Sequence, residues 1–148
     1  MKKFQFPLQK VLEYDTHMQK NEADALSVLQ AEYARLERKR DDMQADYDVA
    51  KRRYQADCEQ GQSASRAVVT GLFITDQRQQ IAKINDQIKE QMRRIEKQRE
   101  RLVAITKDKT MIEKLKEQAR LKYLAAQRKS DEQFIAEIVT NQTAQAGT

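Results

Sequence analysis

The chain has 148 residues, 34 % of them charged and 39 % hydrophobic, with three glycines, one proline and no tryptophan. So few turn formers exclude an all-β sandwich or a doubly wound α/β domain, and a mean hydropathy of −0.91 leaves little apolar material for a thick core. The net charge of +5 is uneven: residues 1–60 hold 11 Lys/Arg against 12 Asp/Glu, whereas residues 75–139 hold 16 against 11, a balance that suits a mildly acidic helix lying beside a basic one.

In chain order, Lys3 to Leu12 reads as a short extended lead into a helix, with Pro7 in the first turn, where its missing N–H costs nothing. Lys2 and Lys3 imitate the start of a secretory signal. Gln5, Pro7, Gln9, Lys10 and Glu13 interrupt the apolar run that would have to follow, so no signal is expected. A first helical arm is predicted over about 8–59. Leu26, Leu29, Tyr33, Leu36, Arg40, Met43, Tyr47, Ala50 and Tyr54 recur at steps of three and four, the a/d frame of a coiled coil. Upstream the frame is looser, with Leu8, Val11, Met18 and Ala25 sharing a face with Asp15 and Glu22. Cys58, the single cysteine, has no internal disulfide partner and reads as an ordinary helix-end residue of a reducing compartment.

The interval 60–75 carries Gly61, Gly71 and two serines and is predicted as the turn. Ala64 to Thr70 is expected to form at most a short helical piece ended at Gly71 in a left-handed conformation. Thr75 or Asp76 is expected to cap the next helix, with Gln79 completing a capping-box spacing. The second arm is predicted over about 76–139. Ile81, Ile84, Ile88, Ile95, Leu102 and Ile105 hold one heptad frame, with Gln91 and Gln98 filling its gaps. Beyond Ile105, Lys109 and Lys116 interrupt the frame while Met111, Leu115, Leu121 and Leu124 spread apolar surface around the helix. Residues 140–148 lack periodicity and are expected to fray. The reading is an all-α chain, one coiled-coil domain over 1–148, in which two helices joined by a short turn run antiparallel. At about 1.5 Å per residue the arms span roughly 78 and 96 Å, so the C-terminal arm overhangs by roughly three turns.

Catalytic chemistry has no foothold in this pattern. There is no Gly-rich phosphate loop, and one cysteine with one histidine cannot supply zinc-finger spacing. Glu13 and His17 share a helix face but make only two ligands. Asp41-Asp42 and Asp131-Glu132 are paired carboxylates without the water-excluding cleft that acid–base work requires. No enzyme activity, cofactor or metal is expected. Basic runs at Arg35–Arg40, Lys51–Arg53 and Arg93–Arg101 are broken or followed by acids, which suits solvated coiled-coil flanks rather than a DNA-reading region.

Lys3-Phe4-Gln5-Phe6-Pro7-Leu8-Gln9-Lys10-Val11-Leu12 resembles the opening of the flagellar type III export protein FliJ family, a basic-aromatic stretch leading into Leu-x-x-Val-Leu. Glu113-Lys114-Leu115-Lys116, then Tyr123, then Asp131-Glu132 resemble the late motif and closing Asp-Glu of that family. Phe134-Ile135 departs from it, standing where the family often has a small residue. The resemblance implies a coiled coil similar to the central stalk of rotary ATPases, cytoplasmic and peripheral to the inner membrane at the secretion apparatus. The partners it implies are the hexameric export ATPase, the cytoplasmic domain of the export gate and export chaperones; from the residues themselves no nucleic-acid partner is expected, and no apolar stretch reaches the roughly 18 residues of a transmembrane segment. Within that expectation Leu121, Leu124, Arg128, Lys129, Asp131, Glu132, Ile135 and Ile138 are candidates for the ATPase ring, the alternative being that the apolar ones cap the coiled coil against Phe4, Phe6 and Leu8. Tyr47, Tyr54, Val68, Val69, Leu72 and Phe73 are candidates for the gate or a chaperone, the alternative being a local mini-core that closes the turn. Other readings of the chain are a stalk from a related virulence secretion system, a generic coiled-coil tether or chaperone, and a basic nucleic-acid-binding rod.

Overall fold

The computed structural model describes residues 2–147, which form two helices, α1 (Gln9–Gln60) and α2 (Ala64–Ala146), and no strand among the described residues. Helix α1 starts where Pro7 sets the turn: the Gln9 amide donates to the Phe6 carbonyl at 3.1 Å and the Leu12 amide to the Leu8 carbonyl at 3.0 Å. It stops at Gly61, whose φ of 87° is a conformation that side-chain-bearing residues adopt only with strain. The Gly61 amide turns back to the Cys58 carbonyl at 3.3 Å.

The break between the helices is narrower than the glycine spacing predicts. Ser63 opens α2, its Oγ accepting the Arg66 amide at 3.3 Å, the N-cap geometry that satisfies an otherwise orphaned donor. Residues 64–75, expected as turn, are helical. Gly71 does not end a helix. Thr75 and Asp76 cap nothing: Thr75 Oγ1 donates to the Gly71 carbonyl one turn back at 2.9 Å, and Asp76 accepts from the Gln80 amide at 2.9 Å. A mid-helix glycine costs only about 1 kcal/mol, too little to terminate a helix whose neighbouring turns are packed. At the other end, residues 140–146, expected to fray, continue α2. Thr140 and Thr143 bond back to the Ala136 and Val139 carbonyls, both at 2.8 Å.

The chain divides into two compact units, Glu22–Leu102 and Met1–Asn21 with Val103–Thr148. In the unit Glu22–Leu102 the helices run antiparallel, as two cross-helix bonds demonstrate. Gln91 Nε2 donates to the Leu29 carbonyl at 3.0 Å and Gln98 Nε2 to the Glu22 carbonyl at 3.0 Å; seven residues forward on one helix is seven back on the other. The seam follows the heptad frame. Leu36, Ile84 and Ile88 are buried together with Tyr33 and Met43 packed against them, and Ile81 and Ile95 are buried above and below. Arg40 sits in the frame half-buried and reaches Asp41 at 3.1 Å.

The unit Met1–Asn21 with Val103–Thr148 is antiparallel as well. Gln19 Nε2 donates to Thr106 Oγ1 at 3.0 Å, and the Tyr123 hydroxyl donates to the Lys2 carbonyl at 2.7 Å, again equal and opposite steps. Its inward face on α1 includes Leu12, Asp15, Met18 and Gln19; Leu8 and Val11 are exposed. The same heptad phase in the other unit leaves Ala25 outside and takes Glu22 and Leu26 in. Of the looser upstream frame, Asp15, Met18 and Glu22 therefore lie inward, while Leu8, Val11 and Ala25 are exposed.

Candidate functional site

Helical geometry sorts the residues of 64–77 into two faces. Ala67, Thr70, Gly71, Ile74 and Gln77 are half-buried toward α1, whereas Val68, Val69, Leu72 and Phe73 are exposed. Residues three and four apart stack on one side of a helix, so these four make one contiguous apolar surface. Leu72 is 66 % and Phe73 56 % exposed, so they do not form a mini-core inside the turn. Tyr47 and Tyr54, grouped with them in the sequence reading, lie instead on the inward face of α1 and are half-buried. The Tyr54 hydroxyl comes within 3.7 Å of where a Cβ on Gly71 would stand. Hydrogen bonding with Cys58 first, then the electrostatic influence of the same side chain and partial burial, hold the Tyr54 phenol above its ordinary value. Gln62 Nε2 donates to the same sulfur at 3.0 Å. The structure thus separates the six candidates into a four-residue outward surface and a tyrosine pair that packs.

The second candidate set lies on α2. Leu124 is half-buried, and every described residue from Arg128 to Gly147 is exposed. That stretch carries Arg128, Lys129, Asp131 and Glu132, followed by apolar Ile135 and Ile138. Leu121 is exposed too. The alternative in which these residues cap the coiled coil against Phe4, Phe6 and Leu8 does not describe the geometry. Phe4 stacks on Tyr123, ring centroids 5.5 Å apart and tilted by 48°, while Ile135 is 60 % exposed. Phe134 and Val139, absent from the candidate set, belong to the same surface; Phe134 is 64 % exposed. Spacing of four residues, Phe134 to Ile138 and Ile135 to Val139, is the signal that includes them.

Among the described residues no helix is long and apolar enough to cross a membrane, and no group of three or more His, Cys, Asp or Glu is arranged to hold a metal ion. What the geometry supplies is two long helices, a four-residue apolar surface beside a tight turn, and an exposed helical stretch with apolar and charged side chains. A family model, described as flagellar FliJ protein, matches residues 4–148. The chain belongs to the FliJ family. Membership makes it a component of flagellar protein export, within type III secretion and flagellum biogenesis. No curated protein and no solved structure matches the chain.

Proposed function

We propose that this FliJ-family chain is a non-enzymatic stalk that inserts the exposed end of α2 into the hexameric export ATPase and stimulates it, contacts the cytoplasmic domain of the export gate, and escorts export chaperones, working in the cytoplasm at the inner-membrane secretion apparatus. The observation that carries the reading is the stretch 128–146 of α2, a regular helix whose residues are all exposed, with Phe134, Ile135, Ile138 and Val139 facing solvent. A helix gains most of its stability from a packed face, and contiguous exposed apolar surface marks a place where another molecule binds. Arg128 and Lys129 beside Asp131 and Glu132 add charges of both signs, whose exposed contacts are individually weak and salt-sensitive. Such contacts suit a surface that moves between equivalent sites of a ring.

ATP hydrolysis by the purified hexameric export ATPase, with and without the chain, tests the reading. Wild type raises the rate; Ile135→Asp with Ile138→Asp abolishes the stimulation, and Arg128→Glu with Lys129→Glu reduces it. Unchanged stimulation in both double variants removes the ring contact. For the gate or a chaperone the surface is Val68, Val69, Leu72 and Phe73. Phe73→Ala weakens capture of the gate's cytoplasmic domain with no change in melting temperature, whereas a lowered melting temperature with capture intact returns Phe73 to packing.

A further inference from the structure

The N-terminal lead, the first turns of α1 and Lys116 of α2 line an open cleft of about 610 Å3 that none of the surfaces above includes. Its walls are Phe4 and Phe6, and Lys3, Lys10 and Lys116 line it together with a single carboxylate, Glu13. Phe4 is held in place by its stacking on Tyr123, and the lead by the Tyr123 bond to the Lys2 carbonyl, so the aromatic wall exists before anything binds. Among the described residues none of the three lysines has an ion pair or hydrogen bond; Glu13 is occupied by the Gln9 amide at 3.4 Å. Lys116 stands at a heptad seam position and is half-buried, where an apolar residue would pack better. Three ammonium groups against one carboxylate leave an excess of positive charge around one concave site, and an anionic occupant offsets it.

We propose that this cleft binds an acidic peptide segment of a partner protein, with an aliphatic or aromatic side chain seated between Phe4 and Phe6 and flanking Asp or Glu residues meeting Lys3, Lys10 and Lys116. The volume suits a few side chains. A bilayer surface fits less well, because Phe4 and Phe6 are half-buried against the protein instead of projecting, and insertion into a headgroup layer needs projecting apolar groups. The cleft stands apart from the export reading and is tested without the ATPase.

The experiment selects binders from a displayed library of random 12-residue peptides on the full chain, then measures the selected peptides, fluorescein-labelled, by anisotropy. The expected winners carry two or more Asp or Glu around an aliphatic or aromatic residue. Their affinity falls at least tenfold on Lys3→Glu with Lys10→Glu, both exposed positions that leave folding intact, and falls further between 50 and 300 mM salt. Lys116→Gln weakens binding without lowering the melting temperature. Winners without acidic residues, no winners, or equal affinity for the double variant overturn the proposal. So does capture of the chain by phosphatidylcholine vesicles containing 30 % phosphatidylserine, through the same two lysines, when the acidic peptides do not bind.

Discussion

The seam of the unit Glu22–Leu102 and that of the unit formed by Met1–Asn21 with Val103–Thr148 share one heptad frame and fill it differently. The first is built on Leu36, Ile81, Ile84, Ile88 and Ile95, all buried, with Gln91 and Gln98 as buried polar links to the opposite backbone. Gln98 also donates to the Glu22 carboxylate. The second places Asp15, Gln19, Lys109 and Lys116 in the frame, tied by Lys109 Nζ to Gln19 Oε1 at 3.0 Å and to Glu113 at 3.6 Å. Apolar burial stabilises at roughly 25 cal/mol per Å2, while polar seam positions fix register at a cost in stability. The isoleucine seam therefore supplies the strength, and the polar seam trades strength for a defined alignment beside the lysine-lined cleft.

The largest effect that sharpens this comparison is expected from Ile88→Ala. The side chain is only 5 % exposed, and its truncation costs about 2–4 kcal/mol, read as a lowered urea midpoint. Ile135→Ala, on the unpartnered face, changes the midpoint little; equal losses at the two positions would break the distinction between packed and waiting surface.

Next come the two glycines near the turn, for which opposite signs are expected. Gly61→Ala forces a side chain into positive φ and destabilises by about 1–2 kcal/mol. Gly71→Ala adds a Cβ at ordinary contact distance from Tyr54, 3.7 Å, inside a helix, and stabilises by about 0.5–1 kcal/mol. A destabilising Gly71→Ala would restore the wider turn that the spacing of glycines suggests.

Tyr123→Phe is smaller. The ring still stacks on Phe4, but the bond to the Lys2 carbonyl is lost, at about 1 kcal/mol. Amide hydrogen exchange in residues 3–8 should rise with the exchange of Ile84 and Ile88 unchanged. Faster exchange in both places would mean that the lead is coupled to the isoleucine seam.

Smallest is a pH effect that appears in both units. Arg35 bonded to Glu32 at 2.7 Å, and Arg120 bonded to Glu117 at 2.8 Å, lower each glutamate below its ordinary value, the hydrogen bond first and the charge also contributing. A carboxylate lowered in the folded state contributes stability above its unfolded value and loses it as pH falls through the folded one. Chemical-shift titration of the two glutamates should give lowered values, and raised salt should diminish both shifts because the pairs are exposed. Values at or above that of a free glutamate would contradict the pairs.

How far residues alone revealed this arrangement varies along the chain. From Leu26 to Tyr54 and from Ile81 to Ile105 the frame was legible, because apolar side chains at every third and fourth position have one economical way to leave water. At 64–75 it was not, since Gly71 looks like punctuation and only the Ser63 cap and the packing of Ile74 and Gln77 toward α1 show that the helix is already running. Tyr54 and Phe73 illustrate the same limit within the candidate sites: both are aromatic and near the turn, yet one faces the partner helix and the other faces solvent. The lysine-lined cleft had no local signal at all, for Lys3 and Lys116 are more than a hundred residues apart.

Composition and periodicity by themselves determined an all-helical chain that folds back once within 60–75, with an isoleucine seam and a C-terminal helix longer than the N-terminal one, because helix propensity and apolar spacing are properties of neighbouring residues. Tertiary structure decided where α2 begins, which side of it Val68, Val69, Leu72 and Phe73 occupy, and that Lys3, Lys10 and Lys116 converge around Phe4 and Phe6. Those outcomes depend on the rotational phase of one helix against another and on the path of the lead along α2, and both are set by contacts between residues far apart in the chain.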